Sequence, residues 1–495
     1  MRSQSLPEAG RSRVPRTVER IVDGAMRVIP AATLVTVGAF FAAQQAVQPS
    51  HRAIKAIVLM ALMALMFRFD MVYSVYMFAL LFPFPSGISI GSSNNVLMTI
   101  IPMIWAVRAT SGKLPLTRHS SIDRAVALFL LAYVVSLINV SDATTLARSV
   151  AVLWRQLTAC AFCYMIFLFV TDEKKLYRFG KAMSFACFLV MTTAVMELFF
   201  PGAKLIPGWI GLTSKLGEGE LSHRVRGLRV GGSFESHGML ADYGTQLMLF
   251  MVFFFLRARN PAEKSFWLVA VGTTVMAVLA TANRGATAGL LLGLTLALVY
   301  FRRAIGAPRL VLLVCLGLAG LVAFDTVLSE KTIAVSVLDR FVETEFEGVV
   351  PDTRTMTWKP AILGALERPF IGHGPYYDTG VGLTKRYWPH NGYIFFFYTL
   401  GLLGVGAFLW VMWRVYRESR LWRHPAVRGT PLGTFLALAQ IWLFVLAFEQ
   451  LRTDHQRDDI YPYIVWMCFG VVVATASIAR RRIASADAAV NGKPR

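Results

Sequence analysis

Charge is what this sequence has least of. Asp, Glu, Lys and Arg together make up 16% of its 495 residues, against about 25% in a soluble domain. With 56% hydrophobic residues and a mean hydropathy of +0.54, too little polar surface remains to cover a globule in water, and soluble fold classes are excluded. Acidic charge is scarcer than basic: 29 Asp and Glu stand against 50 Lys and Arg, a formal net charge of +21. In a soluble chain that excess would point to nucleic acid. Here the basic residues gather in short loops between apolar runs, as the positive-inside rule requires, so no nucleic-acid partner is expected. Cysteine is sparse as well. Cys160, Cys163, Cys187, Cys315 and Cys468 all sit inside apolar runs, which excludes an exported disulfide framework, and the Cys160-x-x-Cys163 pair lacks the polar neighbours of a metal or redox site. Heptads, low-complexity tracts and internal repeats are missing. No Walker, GxGxxG or GxSxG pattern is usefully placed, which argues against a nucleotide-driven pump and a serine hydrolase.

What is present is a succession of apolar runs. They fall near 28–47, 53–67, 71–88, 94–108, 124–141, 150–170, 182–200, 237–256, 266–283, 285–301, 309–327, 391–413, 432–449 and 460–479. The expected fold is an all-α polytopic membrane protein of about 12–14 transmembrane helices, with a mostly helical outer segment before the last three spans. The arginine-rich stretch before Val28 resembles a signal peptide, but the run behind it is long enough to span, so an uncleaved first helix is expected. The expected organisation is a cytoplasmic basic arm over 1–27 and a transmembrane bundle over 28–327 with an outer loop at 201–236. An outer segment over 328–390, three last spans over 391–479 and a cytoplasmic tail over 480–495, disordered after Arg482, complete it. Basic loops at 113–124, 174–181, 257–264, 302–309, 414–428 and 480–482 are every second loop and so fall on one side, the cytoplasm, and an even span count then places both termini there. Few ionisable groups lie inside spans; Lys55, Arg155 and Glu197 are the main exceptions.

The spans beginning near His237, Gly285 and Asn391 then all run from outside to inside. Their N-terminal N–H groups and positive dipole ends point at one surface, and each is preceded by a polar or cationic residue: Arg229 with Gly231-Gly232-Ser233, Arg284, and His390. Helix N-termini with guanidinium forks suit phosphate oxygens. Arg354 lies in the long outer segment, where Pro360 is expected in the first turn of a short helix over 361–366 and an amphipathic helix over 337–346. His390 is the candidate for proton transfer, since an unperturbed imidazole titrates near ~6.5. Asn391 can cap the following helix or orient the ring, and Gly401 and Gly404 permit close packing. Neither His237/Asp242 nor Asp458-Asp459 has metal-ligand spacing, so no metal or other cofactor is expected.

These residues also form a pattern. His390-Asn391, nine residues, Gly401, two residues and Gly404 resemble the signature of the O-antigen ligase and polymerase superfamily. Arg229-x-x-Gly232-Ser233-Phe234, Asn283-Arg284-Gly285, and Arg354-x3-Trp358 followed by Pro369-x-x-Gly372-x-Gly374 agree with it in order and sidedness. The resemblance covers about residues 225–410. It implies a metal-independent glycosyltransferase on the periplasmic side of the bacterial inner membrane. The donor would be a glycan on undecaprenyl pyrophosphate and, in the ligase branch, the acceptor lipid A-core. Carried over, Arg284 and Arg354 hold the pyrophosphate, with Arg229, Asn391 and Trp358 as further substrate contacts, and His390 is the general base of an inverting transfer. A polymerase using a second lipid-linked glycan, or a protein O-oligosaccharyltransferase, would carry the same motifs. A flippase would instead need ionisable groups at mid-depth in its spans.

Overall fold

The computed structural model describes residues 70–83, 93–112, 114–115, 118–199, 229–234, 236–305, single positions between 320 and 347, and 350–376, 389–458 and 460–490. The expected arm over 1–27, the spans at 28–47 and 53–67, and most of the 201–236 loop and of the 337–346 helix lie outside the described residues. The chain divides into two compact units, one of Met1–Met71 with Ile100–Thr117, the other of Val72–Thr99 with Arg118–Arg495. In the first, Trp105 Nε1 donates to the Pro115 carbonyl at 3.3 Å and closes the end of the helix Ser93–Thr110.

The second unit is a helical bundle, and the protein is an all-α polytopic membrane protein. Its helices are α1 (Met71–Leu81), α2 (Ser93–Thr110, shared with the first unit), α3 (Asp123–Ser136), α4 (Ala143–Phe169), α5 (Glu173–Phe199), α6 (His237–Arg257), α7 (Pro261–Ala280), α8 (Arg284–Ile305), α9 (Asp352–Glu367), α10 (Gly392–Ser419), α11 (Pro431–Gln450) and α12 (Tyr461–Val490). Among the described residues, eight helices are long and apolar enough to cross a membrane, from α4 through α8 and α10 through α12. Their boundaries run past the apolar runs to capping residues. Asp142 accepts from Thr145 N, Asn260 from Ala262 N and Thr430 from Gly433 N, with Pro261 and Pro431 entering the first turns of α7 and α11. Such caps satisfy the orphan donors of a helix start.

Three expectations change. The helix around Pro360 begins at Asp352, so this proline lies inside α9, at the cost of one helical hydrogen bond. The segment after Arg482 continues α12 to Val490, because Ala484, Ala486, Ala488 and Ala489 are strong helix formers even in water. Gly401 is a break in α10, with φ +68° and ψ −166°.

That break is filled. Leu402 N and Leu403 N, which the interrupted helix cannot satisfy, donate to Pro369 O (2.8 Å) and Phe370 O (3.1 Å), while Tyr398 O and Thr399 O accept from His373 N (2.9 Å) and Gly374 N (3.0 Å). Thr399 O also accepts from Ser136 Oγ at 2.6 Å, and Asn139 Nδ2 donates to Gly372 O at 2.6 Å. The two backbones meet at Gly401 and Gly372, both left-handed, and a Cβ on either would collide with the other strand's backbone. His373 completes the clasp, its ring stacked on Tyr398 at 4.6 Å and its Nε2 2.8 Å from Gly364 O. An unsatisfied backbone group at this depth costs several kcal/mol, so the Pro369–Gly374 turn is what permits a broken span.

At one end of the bundle, Arg480 pairs with Glu418, Arg481 donates to Thr171 O, Arg118 Nη2 donates to Ser477 Oγ at 2.9 Å and Arg482 lies 3.6 Å from Glu173. The starts of α6, α8 and α10 lie at the other end, where the turn between α11 and α12 joins them.

Candidate functional site

Each of these helix starts is built the same way: a polar residue, then a glycine. Ser236 caps α6 through Met239 N, followed by His237-Gly238; Asn283 Oδ1 accepts from Ala286 N at 3.2 Å at the start of α8, followed by Arg284-Gly285; Asn391 caps α10 through Tyr393 N (3.0 Å) and Ile394 N (3.1 Å), followed by Gly392. The glycines admit the α11–α12 turn. A Cβ on Gly238 would meet His455 Nε2 at 3.1 Å, one on Gly285 would collide with the Arg452 side chain, and one on Gly392 would collide with Gln450.

A cavity of about 330 Å³ opens where these ends meet, lined by Arg229, His237, Arg284, Arg354, His390, Arg452, His455 and Arg457. The structure therefore brings together Arg229, Arg284, Arg354 and His390. Asn391 and Trp358 stand behind the cavity and hold its wall: Asn391 Nδ2 donates to Leu451 O at 3.0 Å, and Trp358 Nε1 donates to Pro389 O at 2.7 Å. Arg229 has a partly structural task, its Nε donating to Thr281 O at 2.9 Å at the C-terminus of α7, where a cation complements the helix dipole. Glu197, inside α5, is explained by the same corner, since its Oε2 accepts from Gly231 N (3.2 Å) and Gly232 N (2.9 Å).

His390 is the strained point. Its φ is +45°, a left-handed conformation that costs a non-glycine residue about 1 kcal/mol or more. Three contacts from two residues hold it there: Arg354 donates to His390 O at 3.2 Å, His390 N donates to Asp454 Oδ2 at 3.3 Å, and His390 Nδ1 lies 3.7 Å from Asp454 Oδ1. Asp454 is 1% exposed and His390 is 49% exposed, so the imidazole leans from a buried carboxylate into the open cavity. Burial opposes the Asp454 charge, but the hydrogen bond from His390 and the charges of Arg457, His390 and His455 hold its carboxyl down at about 2. Burial together with the neighbouring Arg452 and Arg284 pushes the Arg354 guanidinium down to about 10, against the pull of Asp454. Burial also disfavours charge on Arg452 and His455, yet the acids around them outweigh it and raise both. For His455 these are Asp458, whose Oδ2 is 2.6 Å from Nδ1, and Asp242 at 3.6 Å.

The α11–α12 turn, with Arg452, Asp454, His455 and Arg457, is what sequence reasoning missed. The available signal was a charged run, Arg452-Thr-Asp454-His455-Gln-Arg457-Asp458, too short to be an outer domain and facing three Gly-bearing helix starts. Two buried acids inside spans were missed with it. Asp242 is paired with Arg452, and Glu449 lies 3.4 Å from Arg452 and accepts from Gln246 at 2.8 Å. Asp242 is the sixth residue of α6 and Glu449 the second to last of α11, within about 9 Å of a helix end. They support the cavity floor and do not mark a path through mid-depth. Among the described residues no group of three His, Cys, Asp or Glu side chains is arranged to hold a metal ion.

A membrane-embedded bundle with a cationic cavity at the meeting of three helix starts, and an acid-backed histidine on its rim, is equipped to hold a phosphorylated group and move a proton. Residues 268–409 match the family described as O-antigen ligase, a superfamily of glycosyltransferase-like enzymes. The match includes Arg284, Arg354 and His390 and ends before the α11–α12 turn. No curated protein matches the chain.

Proposed function

We propose that the protein is an O-antigen ligase, transferring a glycan from undecaprenyl pyrophosphate to a hydroxyl of lipid A-core. The reaction is placed at the periplasmic face of a bacterial inner membrane, with both termini in the cytoplasm. The observation that carries this is the single cavity lined by Arg284, Arg354 and His390, together with the depressed guanidinium of Arg354. A guanidinium whose charge is disfavoured by burial first and by the neighbouring Arg452 and Arg284 second is relieved by an anion, and a pyrophosphate oxygen pair meets two guanidinium forks and the N–H groups at the starts of α6, α8 and α10.

In the reaction the acceptor oxygen attacks the anomeric carbon from the face opposite the pyrophosphate. The bond from that carbon to the phosphate oxygen breaks, its electron pair leaves on the pyrophosphate, and the anomeric configuration inverts. Arg284 and Arg354 stabilise the charge that grows on the leaving group. His390 takes the acceptor proton. Its Nδ1 faces Asp454, so Nε2 is the basic atom, and Asp454 favours the imidazolium that forms. The left-handed turn at His390 presents the ring to the cavity while the next residue already caps α10. A pyrophosphate is an activated leaving group, so neither a metal ion nor a nucleotide is required.

The test is reconstitution of the full chain with lipid-linked glycan and lipid A-core. A ligated product carried on lipid A-core, lost in His390→Ala, supports the reading. Lengthening of the lipid-linked glycan in place of ligation would assign the chain to polymerisation, transfer to serine would assign it to protein glycosylation, and movement of intact lipid-linked glycan without transfer would make it a transporter.

A further inference from the structure

A second cavity, of about 300 Å³, lies on the other side of the α11–α12 turn from the first. Its wall is one stripe of α4, Arg148, Ala151, Val152 and Arg155, at the spacing that puts side chains on a single helical face. Opposite stand Tyr376, from the end of the Pro369–Gly374 clasp, and Phe395, in the first turn of α10. Arg457 and Asp458 close it. Arg457 also lines the donor cavity, and its Nε is 3.4 Å from Asp454 Oδ1, the oxygen that faces His390 Nδ1. Phe395 is the fourth residue of α10, whose N-cap Asn391 directly follows His390. The two cavities therefore flank the candidate base.

The chemistry of this cavity is that of an anionic sugar site. Among the described residues lining it there are three guanidinium groups and one carboxylate, and that carboxylate, Asp458, already pairs with His455. Arg148 is set over the Tyr376 ring at 5.2 Å, with Nη1 3.2 Å from Tyr376 Oη. Arg155 is anchored by Nη1 to Arg457 O at 2.6 Å. It is the thirteenth residue of α4 and the sixth of the apolar run 150–170, near the outer end of the span, and its side chain reaches up to the α11–α12 turn as an arginine at a membrane boundary does. Tyr376 and Phe395 offer aromatic surface for a sugar ring, and the two arginines offer planar forks for a phosphate.

We propose that this second cavity recognises a phosphate-bearing sugar of the acceptor, with Arg148 and Arg155 as phosphate ligands. The proposal rests on the ligase reading above. It gives donor and acceptor separate anion sites on either side of His390, linked through Arg457 and Asp454. An anionic phospholipid headgroup carries the same chemistry, so the experiment separates the two sources.

The experiment measures binding of lipid A-core, phosphorylated and enzymatically dephosphorylated, to the full chain carrying His390→Ala. The chain is held in phosphatidylcholine discs with and without phosphatidylglycerol. Arg148→Gln and Arg155→Gln are each expected to weaken binding of the phosphorylated form by about tenfold or more, the loss of one hydrogen bond to a charged group, and of the dephosphorylated form by less than about twofold. Arg155→Lys is expected to recover part of the affinity because the charge remains, which a purely structural loss would not do. Equal weakening of both forms, or no weakening of either, overturns the proposal. So does a phenotype that depends on phosphatidylglycerol and is indifferent to the acceptor's phosphates, which would make this a lipid headgroup site. Transfer is scored separately on the His390-containing chain. A chain that ligates but binds both acceptor forms alike overturns only the subsite; one that elongates lipid-linked glycan overturns the ligase reading, and the acceptor assignment with it.

Discussion

Asp454→Asn isolates the electrostatic support of His390 from its geometry, because asparagine keeps the shape and one acceptor oxygen while removing the charge. At 3.7 Å and an effective dielectric of about 20, a carboxylate and an imidazolium attract by about 4.5 kcal/mol. His390 is half exposed, so water screens much of this, and about 1–3 kcal/mol remains for the protonated ring that forms as the acceptor hydroxyl is deprotonated. That energy is present in the transition state and absent for the neutral ring, so it appears in the rate of transfer, as about a ten- to hundredfold loss. The assay is single-turnover transfer at saturating donor in the wild type, Asp454→Asn, His390→Ala and the double variant. Once His390 is gone, Asp454→Asn should cost little more, since the carboxylate acts through the ring. Fully additive losses, or a raised donor dissociation constant with an unchanged saturating rate, would refute the pairing.

Arg284→Gln and Arg354→Gln should each weaken binding of undecaprenyl pyrophosphate by about tenfold or more, and the affinity that remains should depend less steeply on salt; unchanged affinity in both variants would remove the pyrophosphate from this cavity. Gly285→Ala drives a methyl into the Arg452 side chain, which Asp242 holds from beneath. A loss of about 1–3 kcal/mol with loss of transfer is expected, whereas Gly272→Ala, with nothing within 4 Å of the added carbon, should stay within about 0.5 kcal/mol; equal melting temperatures in detergent for the two variants would contradict this packing. Asp454 has a folded value of about 2 against an ordinary 3.8, so its contribution, about 2 kcal/mol by linkage, is fully present above pH 4 and is lost as pH falls through 2. Unfolding followed across that window should show a pH slope in the wild type that Asp454→Asn flattens, and identical slopes would place the pairing elsewhere.

Much of the site was legible because its parts are local. The polar residue before each apolar run, the sign of its charge and the order of the runs suffice to nominate Arg229, Arg284 and His390 at helix starts, and the structure brings the three to one cavity. What was not legible depends on approach between distant segments. Gly401 stands in an apolar run, where small residues ordinarily serve helix packing; that it breaks the helix follows only from the Pro369–Gly374 turn arriving beside it with donors and acceptors to exchange. Asp454 and Arg452 stand in a turn whose composition suits a solvated ion cluster. Nothing local distinguishes them until the glycines at 238, 285 and 392 are seen to make room for that turn.

The clasp at Gly401 also bears on how Arg354 can work. A segment of some sixty residues ahead of a span suits a lid, closing over substrate by movement of its arginine. Yet α9 is fastened at both ends to α10. Near its start, Arg354 and Trp358 donate to His390 O and Pro389 O; beyond its end, the Pro369–Gly374 turn exchanges four backbone hydrogen bonds with the chain around Gly401. The two attachments are separated by eleven residues of α10, about 16 Å. Two anchors at that separation fix the orientation of α9 as well as its position, and rotating it would strand the carbonyl and N–H groups of a broken span in the membrane. Arg354 is thus held relative to His390 as rigidly as α10 itself, so in the proposed reaction one element would register both the pyrophosphate and the attacking hydroxyl. Closure, if transfer requires it, has to come from chain outside α9 and α10, and a disulfide engineered between these two helices should leave the transfer rate unchanged.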